Sequence, residues 1–195
     1  MTGSAPDPAL DLYDIACLAG GEPRILDTAL VAMVESGRVR AHSPGQLAVA
    51  EPSRRHPVEA AVLDAVGTRG HRSVDTIRWR LADDDRVRDV GRRLTAAGLI
   101  SRWSGVVRRG DRPPLLTAAG RRALRTAESL ADPTLDGGSA VLVARHGREL
   151  LADALLRASI FEALPRPSGR SRAAGIRRRL DAVRAYHPGG PVGGG

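Results

Sequence analysis

The sequence contains no lysine, a single cysteine and few aromatic residues. All 30 basic residues are arginines, and aromatic residues make up 3% of the 195 residues. The one cysteine, Cys17, can form no disulfide within the chain and cannot build a cysteine-based zinc site alone. We therefore expect a protein of a reducing compartment, the cytoplasm.

Long apolar runs are lacking as well. A stretch such as residues 140–144 is far shorter than the roughly 20 residues that a membrane-spanning helix needs. The first residues also lack the basic and then apolar pattern of a secretory signal. The sequence therefore predicts neither a membrane span nor export. The 42% of hydrophobic residues are enough to build a folded core.

The net charge of +8 is unevenly distributed along the chain. Residues 165–195 contain seven arginines and one acidic residue, Asp181. The preceding 164 residues contain 23 arginines and 21 acidic residues, so this part is close to neutral. The basic composition is consequently weak evidence that the folded part binds nucleic acid.

Helical periodicity alternates with short strand patterns, which predicts a mainly α fold with small β-hairpins. In the first unit, a helix over residues 10–19 stops at Gly20-Gly21, and a second runs from Pro23 to Gly37. A hairpin follows, with its turn at residues 43–45. This is a reduced form of the winged-helix arrangement.

The second unit has the full winged-helix order of three helices, a two-stranded wing and a trailing helix. Its helices begin at Pro57, Ser73 and the acidic run 83–85, and the wing strands are residues 99–107 and 114–117. The spacing Met33–Gly37–Val39 in the first unit recurs as Leu94–Gly98–Ile100. We therefore predict tandem winged-helix-like units followed by C-terminal helices.

The predicted domain organisation has five parts. Apolar residues predict helix over residues 141–145 and 149–164, which packs back on the second unit or pairs two chains. Composition from Pro165 onwards is that of a linker, with one amphipathic segment over residues 173–186. The parts are a flexible leader (1–9), the reduced winged-helix-like unit (10–52), the second unit (53–131), a C-terminal helical segment (132–164) and a basic, glycine-rich flexible tail (165–195).

Two resemblances follow from particular motifs. The segment from Asp11 to Gly21, followed by Pro23-Arg24, residues 27–30 and Gly37, resembles an uncharacterised actinobacterial family with an N-terminal LAGG…PR…DTAL domain. Many of its members are described as membrane proteins with glycine-rich C-termini, and the family implies no activity or ligand. Residues 115–124 more loosely resemble the wing strand and following helix of winged-helix transcription regulators, which implies fold rather than function.

No group of residues predicts catalysis, a metal site or a cofactor. The five histidines are dispersed, and no two lie three or four residues apart on one helix. Cys17 lies between Ala16 and Leu18, which favours a buried structural thiol over a nucleophile. We therefore expect a protein that is not an enzyme and has neither metal nor cofactor.

Two kinds of partner stay open. The predicted reading helix of the second unit, residues 83–97, has as many aspartates as arginines, which disfavours phosphate binding. We therefore favour a protein partner or a homo-oligomer, with Trp79 and Trp103 in the core or facing that partner.

The alternative is a DNA-binding regulator that contacts phosphates through the second wing and the tail. Its candidate residues are Arg102, Arg108, Arg109, Arg112, Arg121, Arg122, Arg177, Arg178 and Arg179. Weak contact of the tail with an anionic membrane also stays open.

Overall fold

The first helix carries a break where glycine predicts one. In the computed structural model, which describes residues 10–102, 113–130 and 138–162, α1 spans Leu12–Glu35. Asp11 caps it by accepting hydrogen bonds from the backbone N–H groups of Tyr13 and Asp14. Gly21 leaves helical geometry at φ 73°, so α1 consists of two helical halves, as predicted from Gly20-Gly21.

A three-stranded antiparallel sheet joins the two predicted units. Strands β1 (Val39–Ser43) and β2 (Gln46–Val49) form the expected hairpin. The third strand, β3 (Arg72–Ser73), comes from the second unit and pairs with β2, with Leu47 opposite Arg72. The strand order is β1-β2-β3, so the hairpin of the first unit and the strand of the second form one sheet.

Three capped helices follow in the predicted order. Helix α2 spans Pro57–Val66, α3 spans Val74–Leu81 and α4 spans Asp85–Ala96. Ser73 and Asp84 accept hydrogen bonds from backbone N–H groups at the starts of α3 and α4, respectively, as their residue types predict. The fold class is therefore confirmed as mainly α with a small antiparallel sheet.

The base of the predicted wing is present beside α5 (Ala118–Leu130). Ile100 and Leu116 form an antiparallel bridge, and the Ser101 N–H donates to the Leu115 carbonyl at 2.8 Å. Thr117 caps α5, because its Oγ1 accepts from the Gly120 N–H at 3.0 Å. The remainder of the wing, residues 103–112, lies outside the described residues.

The C-terminal helices differ from the expectation in two ways. The prediction of one continuous helix over residues 149–164 is wrong for the described residues, which end at 162. A 3₁₀ turn at Arg148–Leu150 is separate from helix α7 (Ala154–Phe161), because Asp153 caps the start of α7. Although Arg145 also donates to the Ala127 carbonyl of α5 at 3.2 Å, helix α6 (Ser139–His146) packs mainly along α1 of the first unit. The Glu35 carboxylate fixes this contact by accepting from the N–H groups of Ser139 and Ala140, at 2.7 and 3.0 Å.

A single apolar core runs through both predicted units. It includes Leu30 of α1, Val62 of α2, Leu94 of α4 and Val143 of α6, each at most 3% exposed. All described residues belong to one compact unit. The predicted boundary near residue 52 therefore separates parts that share a sheet and a core, and the five-part division itself stays a prediction.

The repeated spacing of the two units has a structural counterpart. Gly37 and Gly98 both have a positive φ, 73° and 74°, directly after a helix. The apolar residues that follow them, Val39 and Ile100, are both buried and both take part in antiparallel pairing. Helix, left-handed glycine and strand start thus recur in the same order.

Within the described residues, no helix is both long and apolar enough to cross a membrane.

Two glycine-to-alanine substitutions should have opposite effects on stability. A Cβ at Gly120 would lie 2.9 Å from the Leu99 carbonyl carbon, which forces the backbone apart. A Cβ at Gly91, inside α4, meets only the Cys17 Sγ at 3.9 Å, an ordinary contact. We expect Gly91→Ala to raise the free energy of unfolding by about 0.5–1 kcal/mol, and Gly120→Ala to lower it by more than about 1 kcal/mol.

Urea unfolding followed by circular dichroism measures both changes. Each variant is the control for the other, since the chemical change is identical. Equal effects of the two substitutions would contradict the close packing of α5 against Leu99.

Candidate interaction surfaces

The arginines of the helix predicted to read DNA are neutralised by aspartates of the same chain. Residues 83–96, which hold α4 and the turn before it, contain four arginines and four aspartates. All four arginines form ion pairs with acidic residues of this chain. The pairs are Arg86 with Asp84 and Asp64, Arg88 with Asp83, Arg92 with Asp85 and Asp89, and Arg93 with Asp14 and Asp11.

Arg86 is the most firmly held of these side chains. It contacts both Asp84 oxygens, at 2.8 and 3.0 Å, and reaches Asp64 of α2 at 2.7 Å. Hydrogen bonds from Arg86 are the main cause that holds the pKa of both carboxyls below the usual range of aspartate. Arg54 adds a second contact to Asp64 at 2.6 Å. The start of α4 is thereby tied to α2.

The exposed pairs along α4 decide what the helix can bind. Arg92 contacts Asp89 at 3.2 Å and Asp85 at 3.3 Å, and more than half of each of these side chains is exposed. Such pairs add little to stability, about 0–1 kcal/mol each. A phosphate that recruited Arg92 would also lie beside two carboxylates, whose repulsion opposes binding. The α4 surface is therefore poorly suited to nucleic acid.

Trp79 is the largest exposed apolar side chain on the neighbouring helix. It lies on α3 with 77% of its surface exposed, although the rest of that helix buries Val74, Ile77 and Leu81. The prediction that placed Trp79 in the core is therefore wrong, and the partner-facing alternative stays a prediction. Trp103 lies outside the described residues.

Of the nine arginines predicted to contact nucleic acid, three lie in the described residues. Arg102 is exposed at the base of the wing, and Arg121 and Arg122 are exposed in the first turns of α5. Arg121 donates to the Leu116 carbonyl at 2.9 Å, which holds it beside the wing base. The other six lie outside the described residues: Arg108, Arg109, Arg112, Arg177, Arg178 and Arg179.

The fold contains a buried ion pair that the sequence alone does not predict. Arg38, just before β1, donates two hydrogen bonds to Glu59 of α2, at 2.5 and 2.7 Å, and both residues are buried. The Tyr13 hydroxyl of α1 donates to the same carboxylate at 3.0 Å. Burial by itself would raise the pKa of Glu59, but the hydrogen bonds from Arg38 and Tyr13 outweigh it and lower that pKa. Burial, followed by the negative charge of Glu59, raises the pKa of Tyr13.

A second cluster joins α1 to the C-terminal helices. Asp27, mostly buried in α1, pairs with Arg78 of α3 and lies 3.9 Å from the Arg148 guanidinium. Both guanidiniums also lie over the ring of Phe161 in α7, at 5.8 and 5.3 Å from its centroid. Burial raises the pKa of Asp27 and the two arginines partly offset that rise. This cluster holds α7 in place.

In the sequence, both clusters are indicated only by an acidic residue that lies among apolar residues on the buried face of a helix. Glu59 lies in α2 between the buried residues Val58 and Ala61, and Asp27 follows Ile25 and Leu26. A carboxylate at such a position requires a buried partner. The partner's identity depends on tertiary structure, because Arg38 and Arg78 are 21 and 51 residues away from the carboxylates they bind.

Within the described residues, the histidines and Cys17 do not come together in a metal site. His42 and His71 stack with ring centroids 4.2 Å apart, an approach that local spacing does not reveal. His56 caps α2 by accepting from the Val58 N–H at 3.1 Å. Cys17 is fully buried, as its apolar neighbours predict. Across residues 10–102, 113–130 and 138–162, no three histidine, cysteine, aspartate or glutamate side chains are grouped as metal ligands.

Loss of the Glu59 carboxylate should strongly destabilise the fold. Glu59→Gln leaves the buried Arg38 without a counter-charge, so we expect the free energy of unfolding at pH 7 to fall by about 3–5 kcal/mol. Glu162→Gln, the same change at an exposed position, should alter it by less than about 0.5 kcal/mol. Urea unfolding of the three proteins measures the difference.

The destabilisation should depend on pH in a defined direction. The folded-state pKa of Glu59 is lowered, so its contribution is complete above the pKa of the unfolded chain, about 4.3. It is lost as the pH falls through the folded-state pKa. The difference in the free energy of unfolding between wild type and Glu59→Gln should therefore become smaller below about pH 4. A gap that is constant from neutral to acid pH would contradict the ion pair.

No protein-family model matches this chain, and neither a curated protein nor a solved structure matches it. The resemblances noted in the sequence therefore stay predictions. The pairing of charges on α4, the exposure of Trp79 and the arginines of α5 are the observations from which a function is inferred.

Proposed function

We propose that the protein is a non-enzymatic, winged-helix-type interaction module of the cytoplasm that binds a protein partner, either another protein or a second copy of itself. The observation that carries this proposal is the exposure of Trp79 on α3, at 77%. Tryptophan is among the residues most enriched at the energetic centres of protein interfaces. Burying a tryptophan removes about 150–250 Å² of surface from water.

The surroundings of Trp79 in the chain also support a protein partner. Asp83, the first residue of the acidic run, follows four residues later, and the ion-paired arginines of α4 come after it. A polar rim beside an apolar centre is typical of protein–protein interfaces, and these paired charges are close to Trp79 in the sequence. A nucleic-acid surface would instead require guanidinium groups without acidic partners. The cytoplasmic location rests on the lone, buried Cys17.

A photo-crosslinking residue at position 79 tests the proposal in cells. We expect it to capture a protein, either a second copy of the chain or another polypeptide. The same residue at position 119, which is exposed on α5, is the matched control and should capture none. Equal yields of crosslinked protein at the two positions, including no product at either, would overturn the proposal.

Binding by the captured partner can then be measured directly. Trp103→Phe leaves Trp79 as the only tryptophan, so its emission should shift to the blue when the partner covers it. Trp79→Ala should weaken the affinity by about 2 kcal/mol or more, roughly 30-fold. Leu155→Ala, at an equally exposed position on α7, should change it little. Equal losses for the two variants would place the interface elsewhere.

A further inference from the structure

The exposed arginines of α5 contrast with those of α4. From Ala118 to Ala127, α5 contains three arginines, Arg121, Arg122 and Arg125, and no acidic residue. All three side chains are exposed, and none forms an ion pair with another described residue. The four arginines of α4 are all paired with aspartates. Within the part of the chain that the structure describes, arginines are thus paired with aspartates on α4 and have no acidic partner on α5.

The start of α5 is a rigid platform for these charges. Thr117 Oγ1 donates to the Gly98 carbonyl at 2.7 Å and accepts from the Gly120 N–H, so the first turn is fixed to the end of α4. The Thr117 N–H donates to the Leu99 carbonyl at 3.0 Å. Ala123 of α5 is buried in the core. The arginines therefore project from a helix whose opposite face is anchored.

The spacing of these side chains fits a row of phosphates. Arg121 and Arg125 are one helical turn apart, which places their Cβ atoms about 5–6 Å from each other. Arg122 lies next to Arg121 and broadens the row. Each strand of duplex DNA presents one phosphate charge per about 3.4 Å of its axis, so a row of cations of this length can contact more than one phosphate. Arg102, exposed at the wing base, adds a further positive charge before the wing.

The chemistry of the face favours a duplex over other anionic partners. Single strands are bound by stacking on aromatic side chains, and the described part of α5 has none. Insertion into a membrane surface requires large apolar side chains beside the cations. The other exposed residues in the first turn of α5, Ala118 and Ala119, are small. Repeated phosphate contact is what this face offers.

We propose that Arg121, Arg122 and Arg125 bind the phosphate backbone of duplex nucleic acid without reading its sequence. Contacts between arginine and phosphate fix position but carry no base information. The arginines of α4, the helix that would read bases, are neutralised by aspartates of this chain. This inference does not rest on the proposed protein partner, and Trp79→Ala should leave duplex binding unchanged.

Two charge-matched double variants of the full chain test the inference. Arg122→Gln/Arg125→Gln removes two charges from α5 but keeps Arg121, which bonds to Leu116. Arg88→Gln/Arg92→Gln removes two charges from α4. The arginines of residues 165–195 are present in both proteins, so they do not affect the comparison. Binding to a labelled duplex of mixed sequence is followed by fluorescence anisotropy across salt concentrations.

We expect only the α5 variant to neutralise fewer phosphates than the wild type. Its plot of log affinity against log salt should become shallower by about 2, close to 0.9 for each phosphate that is no longer neutralised. The α4 variant should keep the slope of the wild type, and a duplex of different sequence should bind equally well.

Three results would overturn the inference. The first is an equal change for the two variants, which would show that only net charge matters. The second is a wild-type preference for one duplex sequence. The third is loss, in the α5 variant, of binding to phosphatidylserine vesicles while duplex binding is retained, which would identify a membrane surface instead.

Discussion

The ion pair between Arg38 and Glu59 is the interaction on which the arrangement of the first hundred residues depends. Arg38 holds the hairpin twice: its guanidinium binds Glu59 of α2, and its carbonyl accepts from the N–H groups of Ala50 and Glu51, at 2.9 and 3.0 Å. Tyr13 brings the start of α1 to the same carboxylate. One buried carboxylate thereby joins both predicted units. A buried charge whose partner is removed costs several kcal/mol, roughly 3–5, so these elements are coupled in stability.

Whether an arginine of this protein can bind an external anion depends on its ion-pair partners rather than on the net charge of the chain. Arginines of similar sequence surroundings serve three purposes: Arg38 is buried with Glu59, Arg92 is exposed and paired with two aspartates, and Arg122 is exposed with no acidic partner among the described residues. Only the third kind is ready to bind an external anion. The net charge of +8 does not distinguish these cases. The position of each carboxylate does, and that position depends on the fold.

Local patterns predicted most of the helices, strands and caps. Gly20-Gly21, Ser73, Asp84 and Thr117 act through their own backbone and nearest neighbours, so their effects can be predicted without tertiary structure. The pairing of β3 with β2 and the packing of α6 along α1 could not be predicted in this way. Both involve residues far apart in sequence, and apolar periodicity shows that a face is buried without showing what covers it.

The features of the candidate surfaces that follow from local sequence were predicted, and those that depend on tertiary structure were not. The equal numbers of arginines and aspartates around α4 were evident in the sequence, and the structure adds that each of these arginines pairs with an aspartate, Arg93 with Asp14 of α1. The exposure of Trp79 was not evident, because an apolar residue on a helix is most often buried. Arg125 was missed because residues 115–124 alone suggested the winged-helix motif, whereas the exposed face of α5 extends one turn further.

Both proposals depend on one property of α4: its positive charge is neutralised within the protein, so we expect that it does not read bases. Repeated selection from a library of random duplexes, using the full chain at near-physiological salt, tests this property. The selected pool should have no enriched sequence motif and no higher affinity than the starting pool. An enriched motif whose selective binding disappears on substitution of Arg88 and Arg92 would contradict it.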